Sequence, residues 1–144
     1  MEKNRTILVS ACLLGVNCRY NGKTKPCEKI LKLVKNDILI PVCPEQLGGL
    51  KTPRPPALFL NENTLINTEN IDVTDNFNRG AEEVLKICKL YGIKKAILKE
   101  RSPSCGKNYI YYLEKGKEVL KNGSGLTARL LLKNNIEIIS EEEL

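Results

Sequence analysis

The sequence predicts a three-layer α/β domain around a mostly parallel sheet, and three observations predict it. Four short apolar runs, Ile7-Leu8-Val9, Ile38-Leu39-Ile40-Pro41-Val42, Ala96-Ile97-Leu98 and Ile136 to Ile139, are rich in branched residues and too short for helices. Segments with helical period lie between them, which is the alternation of a parallel sheet covered by helices. Finally, three of the runs lead into a cysteine beside glycine or proline: Ser10-Ala11-Cys12-Leu13-Leu14-Gly15, Cys43-Pro44-Glu45-Gln46-Leu47-Gly48-Gly49 and Ser102-Pro103-Ser104-Cys105-Gly106. Ligands of such sheets collect beyond the carboxyl ends of the strands, so three thiols are expected around one crevice. The 144 residues suffice for one Rossmann-like domain spanning 1–144, with a metal site at those strand ends.

The elements follow in order. Strand one covers 6–11, and a glycine-punctuated turn region runs to Gly22, with Cys18-Arg19-Tyr20 inside it. Pro26 suits a first helical position, and Cys27, Ile30, Leu31 and Val34 form an apolar stripe behind it. Strand two covers 38–42, where Pro41 marks a strand end or an edge. Thr52-Pro53-Arg54-Pro55-Pro56 is stiff and extended and reads as a wall or lid holding Arg54. Leu58-Phe59-Leu60 and Thr64-Leu65-Ile66 flank Asn61-Glu62-Asn63 as a hairpin. A helix capped by Thr74 or Asp75 carries the stripe Phe77, Ala81, Val84, Leu85, Cys88 and stops at Gly92. Strand three covers 95–99. Residues 109–120 read equally as a hairpin or as irregular structure. Gly123-Ser124-Gly125 is a connector into a last helix over 126–134, and strand four follows at 136–139.

Composition narrows the chemistry. Lys and Arg number 23 against 17 Asp and Glu, a net charge of +6 that suits an anionic partner or plain solubility. The basic residues are scattered and Trp is absent, which disfavours a nucleic-acid groove but leaves a thiolated RNA open. There is no His, so Ser-His-Asp and Cys-His catalysis and every His-containing zinc site are excluded. Lys3 and Arg5 before Ile7-Leu8-Val9 resemble the start of a leader, but the apolar stretch ahead of Cys12 falls short of the ~7–15 residues a signal needs. No stretch approaches the ~20 apolar residues of a membrane span. The expectation is a cytoplasmic protein whose thiols stay reduced; its oligomeric state is not legible.

Six cysteines are the unusual feature, with 5, 8, 15, 44 and 16 residues between successive ones and therefore no C-x-x-C pair. Cys27 and Cys88 lie on helix stripes and read as small buried hydrophobes. Cys12, Cys43 and Cys105 share the strand-end context. Soft thiolates without imidazole favour an iron–sulfur cluster, zinc or copper(I). Three would leave one position open for substrate, whereas Cys18 as a fourth would close the site. Near them, Glu45 is the candidate acid–base group, Ser102 and Ser104 are candidate hydroxyl donors, and Arg19 and Arg54 are candidates for orienting a substrate.

Together, Ser10 to Gly15 with Cys18-Arg19-Tyr20, Pro41 to Gly49 with Thr52 to Pro56, and Ser102 to Gly106 resemble the thiouracil desulfidase family, as do Asp72-Val73-Thr74, Phe77, Gly80-Ala81 and Gly125-Leu126-Thr127-Ala128. The resemblance spans nearly the whole chain. It departs at Asn21 and Leu58, where the family carries acidic residues, and over 107–122. It implies a 4Fe–4S cluster held by Cys12, Cys43 and Cys105, with the fourth iron binding the substrate sulfur. It further implies a non-redox desulfuration of a thiolated pyrimidine, 2- or 4-thiouracil, to uracil and sulfide, with Glu45 as acid–base residue. The rival from another class is a non-catalytic cluster- or nucleotide-binding module closed by four cysteines.

Overall fold

The computed structural model describes residues 4–144; Lys3, weighed above as part of a leader, lies outside them. The chain runs β1 (Thr6–Ser10), α1 (Glu28–Leu31), β2 (Ile38–Val42), α2 (Pro44–Leu47), β3 (Ala57–Asn61), β4 (Thr64–Asn67), α3 (Thr74–Tyr91), β5 (Lys95–Leu98), β6 (Tyr109–Glu114), β7 (Lys117–Asn122), α4 (Leu126–Lys133) and β8 (Glu137–Ser140). Short 3-10 segments follow β1, α1 and β8.

The four strands foreseen from the apolar runs form one all-parallel sheet in the order β2-β1-β5-β8. Side chains alternate across it, so the two faces bury different clusters. Leu8, Ala96, Leu98 and Ile138 pack with Val84 and Cys88 of α3 and Ala128 and Leu131 of α4. Ile7, Val9 and Ile97 pack on the opposite face with Leu13, Cys18 and Ile30. Pro41 sits on the edge strand β2, where its missing N–H costs no ladder bond.

A second sheet, in the order β4-β3-β6-β7, stands beside the first. The ambiguous stretch 109–120 is a hairpin, β6–β7, with Lys115 and Gly116 both at positive φ in its turn. It joins the β3–β4 hairpin through a parallel pairing of Phe59 with Tyr112. Phe59, Leu65, Val73, Phe77, Ile110 and Leu126 form the core beneath it.

Three local expectations are corrected. The stripe after Pro26 is only partly buried: Ile30 is fully covered, but Val34 is 54% exposed because α1 tightens into a 3-10 turn after one turn. Cys27 precedes α1 with an extended backbone and is half-buried rather than on a helix stripe. Neither Thr74 nor Asp75 caps α3. Asp72 accepts the Thr74 N–H at 2.9 Å, while the Thr74 hydroxyl bonds the backbone of Leu65. Gly92 does end the helix, with φ 63°.

The four-residue α2 owes its position to α3. A Cβ on Gly80 would stand 2.0 Å from the Pro44 carbonyl oxygen, and one on Gly48 would stand 2.0 Å from that of Asn76. The two helices therefore cross backbone to backbone, and the Asn76 side chain donates to the Gly48 carbonyl at 2.9 Å. Gly80→Ala is expected to lower stability by about 1–3 kcal/mol, the usual cost of forcing an atom into packed surroundings. Urea unfolding of parent and variant measures it, and an unchanged midpoint would show that the helices separate freely.

Candidate active site

Parallel pairing of β1 with both β2 and β5 brings three strand ends side by side. Beyond them lies a cavity of about 400 Å³, lined by Cys12, Cys18, Cys43 and Cys105 together with Glu45, Arg54, Ser102 and Ser104. Arg19, Tyr20, Leu58, Tyr111 and Glu118 also line it. Every candidate from the sequence thus reaches one cavity. Cys88 does not: it is buried in the core, where burial pushes its thiol up to about 11.

Each thiol has its own support. Cys12 lies in the 3-10 turn that leaves β1, and its carbonyl accepts from Lys25 N–H and the Thr24 hydroxyl. Cys43 precedes α2 with an extended backbone. Cys105 sits in a turn whose N–H groups at 104 and 105 point at the Ser102 hydroxyl. Burial pushes the Cys105 thiol up to about 12, against hydrogen bonds with Ser10 and Ser104. The Cys43 thiol is also raised, first by its hydrogen bond with Cys18 and then by burial. Cys18 is raised by a hydrogen bond with Cys12, offset in part by one with Cys43.

The polar groups form one chain. Ser102 and Ser104 hydroxyls are 3.0 Å apart, and Ser104 donates to Glu45 Oε2 at 3.0 Å. Glu45 Oε1 accepts from Arg54 Nε at 2.9 Å. Arg54 is 8% exposed, so the Pro-rich segment holds it inside the wall. Arg19 is half-buried and lines the cavity.

Among the described residues, no group of three or more Cys, Asp or Glu converges closely enough to hold a single metal ion. The thiols surround a cavity rather than a point. A donor set of soft sulfurs spread in this way fits a cluster of several metal ions better than a lone zinc.

The family comparison decides the assignment: the 2-thiouracil desulfurase family matches residues 7–143. The chain belongs to the 2-thiouracil desulfurase family. It is 44% identical over 148 residues to YbbK, an uncharacterized protein of Bacillus subtilis (strain 168), across 96% of this chain and 97% of that one. Among solved structures it is similar to a 4Fe-4S-dependent thiouracil desulfidase, TudS, with TM-score 0.90 and 41% identity over 98% of this chain and 93% of that chain. The mixed α/β architecture is that of the solved structure, as the sequence leads one to expect.

One residue of this desulfurase fold escaped the sequence. Glu100 is 1% exposed, and its Oε1 accepts the N–H groups of Lys107, Asn108 and Tyr109 at 2.8, 2.8 and 3.2 Å. Asn108 Nδ2 donates to its other oxygen at 3.0 Å. One carboxylate therefore ties the two ends of the loop that carries Ser102, Ser104 and Cys105. In Lys99-Glu100-Arg101 it reads as one member of a charge run, and no local signal marks it. Burial raises its carboxyl, but the N–H donors outweigh burial and hold it below its ordinary value. A depressed folded value means a contribution that is full above the unfolded pKa of about 4.3 and lost as pH falls through the folded value. Glu100→Gln should thus lose about 1.5–3 kcal/mol at neutral pH and progressively less toward acid, where the parent is protonated too. Denaturation series at pH 7 and below pH 4 test this; an equal loss at both would remove the charge from the account.

Proposed function

We propose that this chain hydrolyses the carbon–sulfur bond of a thiolated pyrimidine such as 2- or 4-thiouracil, at a 4Fe-4S cluster held by Cys12, Cys43 and Cys105. The single observation that carries the reading is the hydrogen-bonded chain Ser102–Ser104–Glu45 facing a cavity walled by those thiols. The residues fit such a cluster by the chemistry of the donor set: sulfur from three separate strand ends, no imidazole, and a cavity between them. The similarity to TudS, a 4Fe-4S-dependent thiouracil desulfidase, supports the same cofactor. When bound, the cluster would supply Lewis acidity at an open iron, polarising the carbon–sulfur bond.

The rest belongs to the chain's own side chains. Glu45, at 14% side-chain exposure, faces the cavity and takes a proton from the attacking water. Ser104 holds one of its oxygens, which leaves the carboxylate oriented rather than free to rotate. Water adds its oxygen to the ring carbon and the carbon–sulfur bond breaks; the sulfur takes the proton that Glu45 returns and the hydroxyl proton released as the carbonyl forms, and leaves as hydrogen sulfide. Atoms balance without oxidant or reductant. Arg19 orients the base from the rim. The thiol ligand set needs a reducing compartment, which supports the cytoplasm as its location; a cavity of about 400 Å³ suits a small molecule.

Glu45→Gln should keep the cluster and lose turnover by ~10²–10⁴-fold, the usual worth of a general acid–base group. Sulfide release from 2-thiouracil by anaerobically reconstituted protein measures it, and a variant within threefold of the parent takes Glu45 out of the mechanism. Iron per chain across single variants tests the ligands. Cys12→Ser, Cys43→Ser and Cys105→Ser should each fail to retain iron, because a hydroxyl is a poor ligand beside soft sulfide. Cys88→Ala should retain it, with stability lower by on the order of 1 kcal/mol. Iron retained by Cys105→Ser would break the assignment.

A further inference from the structure

Arg54 was a candidate for touching substrate, but its hydrogen bonds assign it elsewhere. A guanidinium has five N–H donors in a fixed planar fork and no acceptor. Nε donates to Glu45 Oε1 at 2.9 Å. Nη1 donates to Thr52 Oγ1 at 2.8 Å and to the Lys51 carbonyl at 3.3 Å. Nη2 donates to the Cys18 carbonyl at 2.8 Å and lies 3.9 Å from Cys43 Sγ, within reach of a sulfur acceptor. Five donors meet five acceptors. The backbone completes the strap, since Arg54 N donates to the Tyr20 carbonyl at 2.8 Å.

We propose that Arg54 is a positioning residue that locks the proton-handling carboxylate of Glu45 and the sulfur of Cys43 into one frame, and that it has no donor left for a substrate. The inference rests on the reading of Glu45 as acid–base group and of Cys43 as cluster ligand. A planar fork can hold a carboxylate edge and a sulfur in one geometry; the rotating ammonium of lysine cannot. A hydrogen bond to a ligand sulfur also withdraws electron density from it, and such bonds set the reduction potential of iron–sulfur centres.

The test compares Arg54→Lys with the parent as full-length, anaerobically reconstituted protein, using 2-thiouracil as substrate. The lysine keeps the charge and loses the fork. The expected result is a kcat more than about tenfold lower with KM within about twofold, the signature of lost positioning rather than lost binding. The reduction potential should become more negative, because a donor to Cys43 is gone. Loss of iron from the folded variant also supports the proposal, since a substrate-binding arginine would leave iron in place. A KM rise with kcat kept, or an unchanged potential together with unchanged kcat, overturns it. Should Arg54→Lys fail to fold, Thr52→Val removes one acceptor of the fork; a kcat and potential equal to the parent's then overturn the proposal, and shifts in the same directions support it. The two readings fail separately: a parent that carries iron and releases no sulfide sinks the proposed reaction, while the potential of Arg54→Lys still decides what Arg54 does.

Discussion

Parallel pairing of β1 with its two neighbours is the constraint on which the site depends. Thr6 to Ser10 lie in register with Ile38 to Val42 on one side, and Leu8 and Val9 with Ala96 and Ile97 on the other. Ladder bonds of this kind fix direction and level together, so three chains leave the sheet at one edge, side by side. Nothing in the thiols themselves would gather them, because 30 residues separate Cys12 from Cys43 and 61 separate Cys43 from Cys105. The sheet supplies that proximity with backbone alone, and the branched residues that build it are buried on both faces.

The sheet delivers strand ends; the loops beyond them must be held by other means, since ordering each residue costs on the order of 1–2 kcal/mol. The ties are polar and buried. Glu100 gathers three backbone N–H groups of the Cys105 loop, and the first turn of α4 donates its N–H groups at 126, 127 and 128 to the carbonyls of Pro103 and Ser104. Gly125 permits this approach, for a Cβ there would stand 2.5 Å from the Ser104 carbonyl. The glycine-rich connector is thus packed against the loop that carries Cys105. On the other side, Arg54 binds the Cys18 turn to the start of α2, which packs on α3 through Gly48 and Gly80. Buried ion pairs are poor sources of stability. The Arg54–Glu45 pair is better understood through orientation, because Arg54 fixes a carboxylate that faces the cavity.

How much of this was legible follows from where each signal lies. The parallel sheet was legible because its strands are short branched runs, and the three thiols because each follows such a run. The β6–β7 hairpin was only half legible: Tyr109 to Leu113 mixes apolar and polar character, and although β6 pairs along its length with β7, its place in the sheet rests on β3, where Phe59 pairs with Tyr112. The α1 stripe misled because periodicity at Cys27, Ile30, Leu31 and Val34 describes a helix longer than the one that forms. Arg54 was seen as a residue held by prolines, yet its role depends on carbonyls of Cys18 and Lys51, and a backbone carbonyl carries no mark in a sequence. Glu100 was missed for the same reason.

Cys18 is where local sequence and tertiary structure pull apart most. Its motif neighbours and its burial, at 3% exposure, give it the same credentials as the three strand-end thiols. Its position differs. The Cys18 thiol is within hydrogen-bonding reach of both Cys12 and Cys43. Its carbonyl is engaged as well, accepting from Arg54 Nη2 at 2.8 Å, and it follows a turn rather than a strand. The family comparison does not favour a site closed by four cysteines. What Cys18 does offer is a buried thiol in the cavity lining beside Cys12 and Cys43. The hydrophobic shell around a metal site controls solvent access and dielectric, and a buried thiol at this position is part of the wall that shapes the cavity.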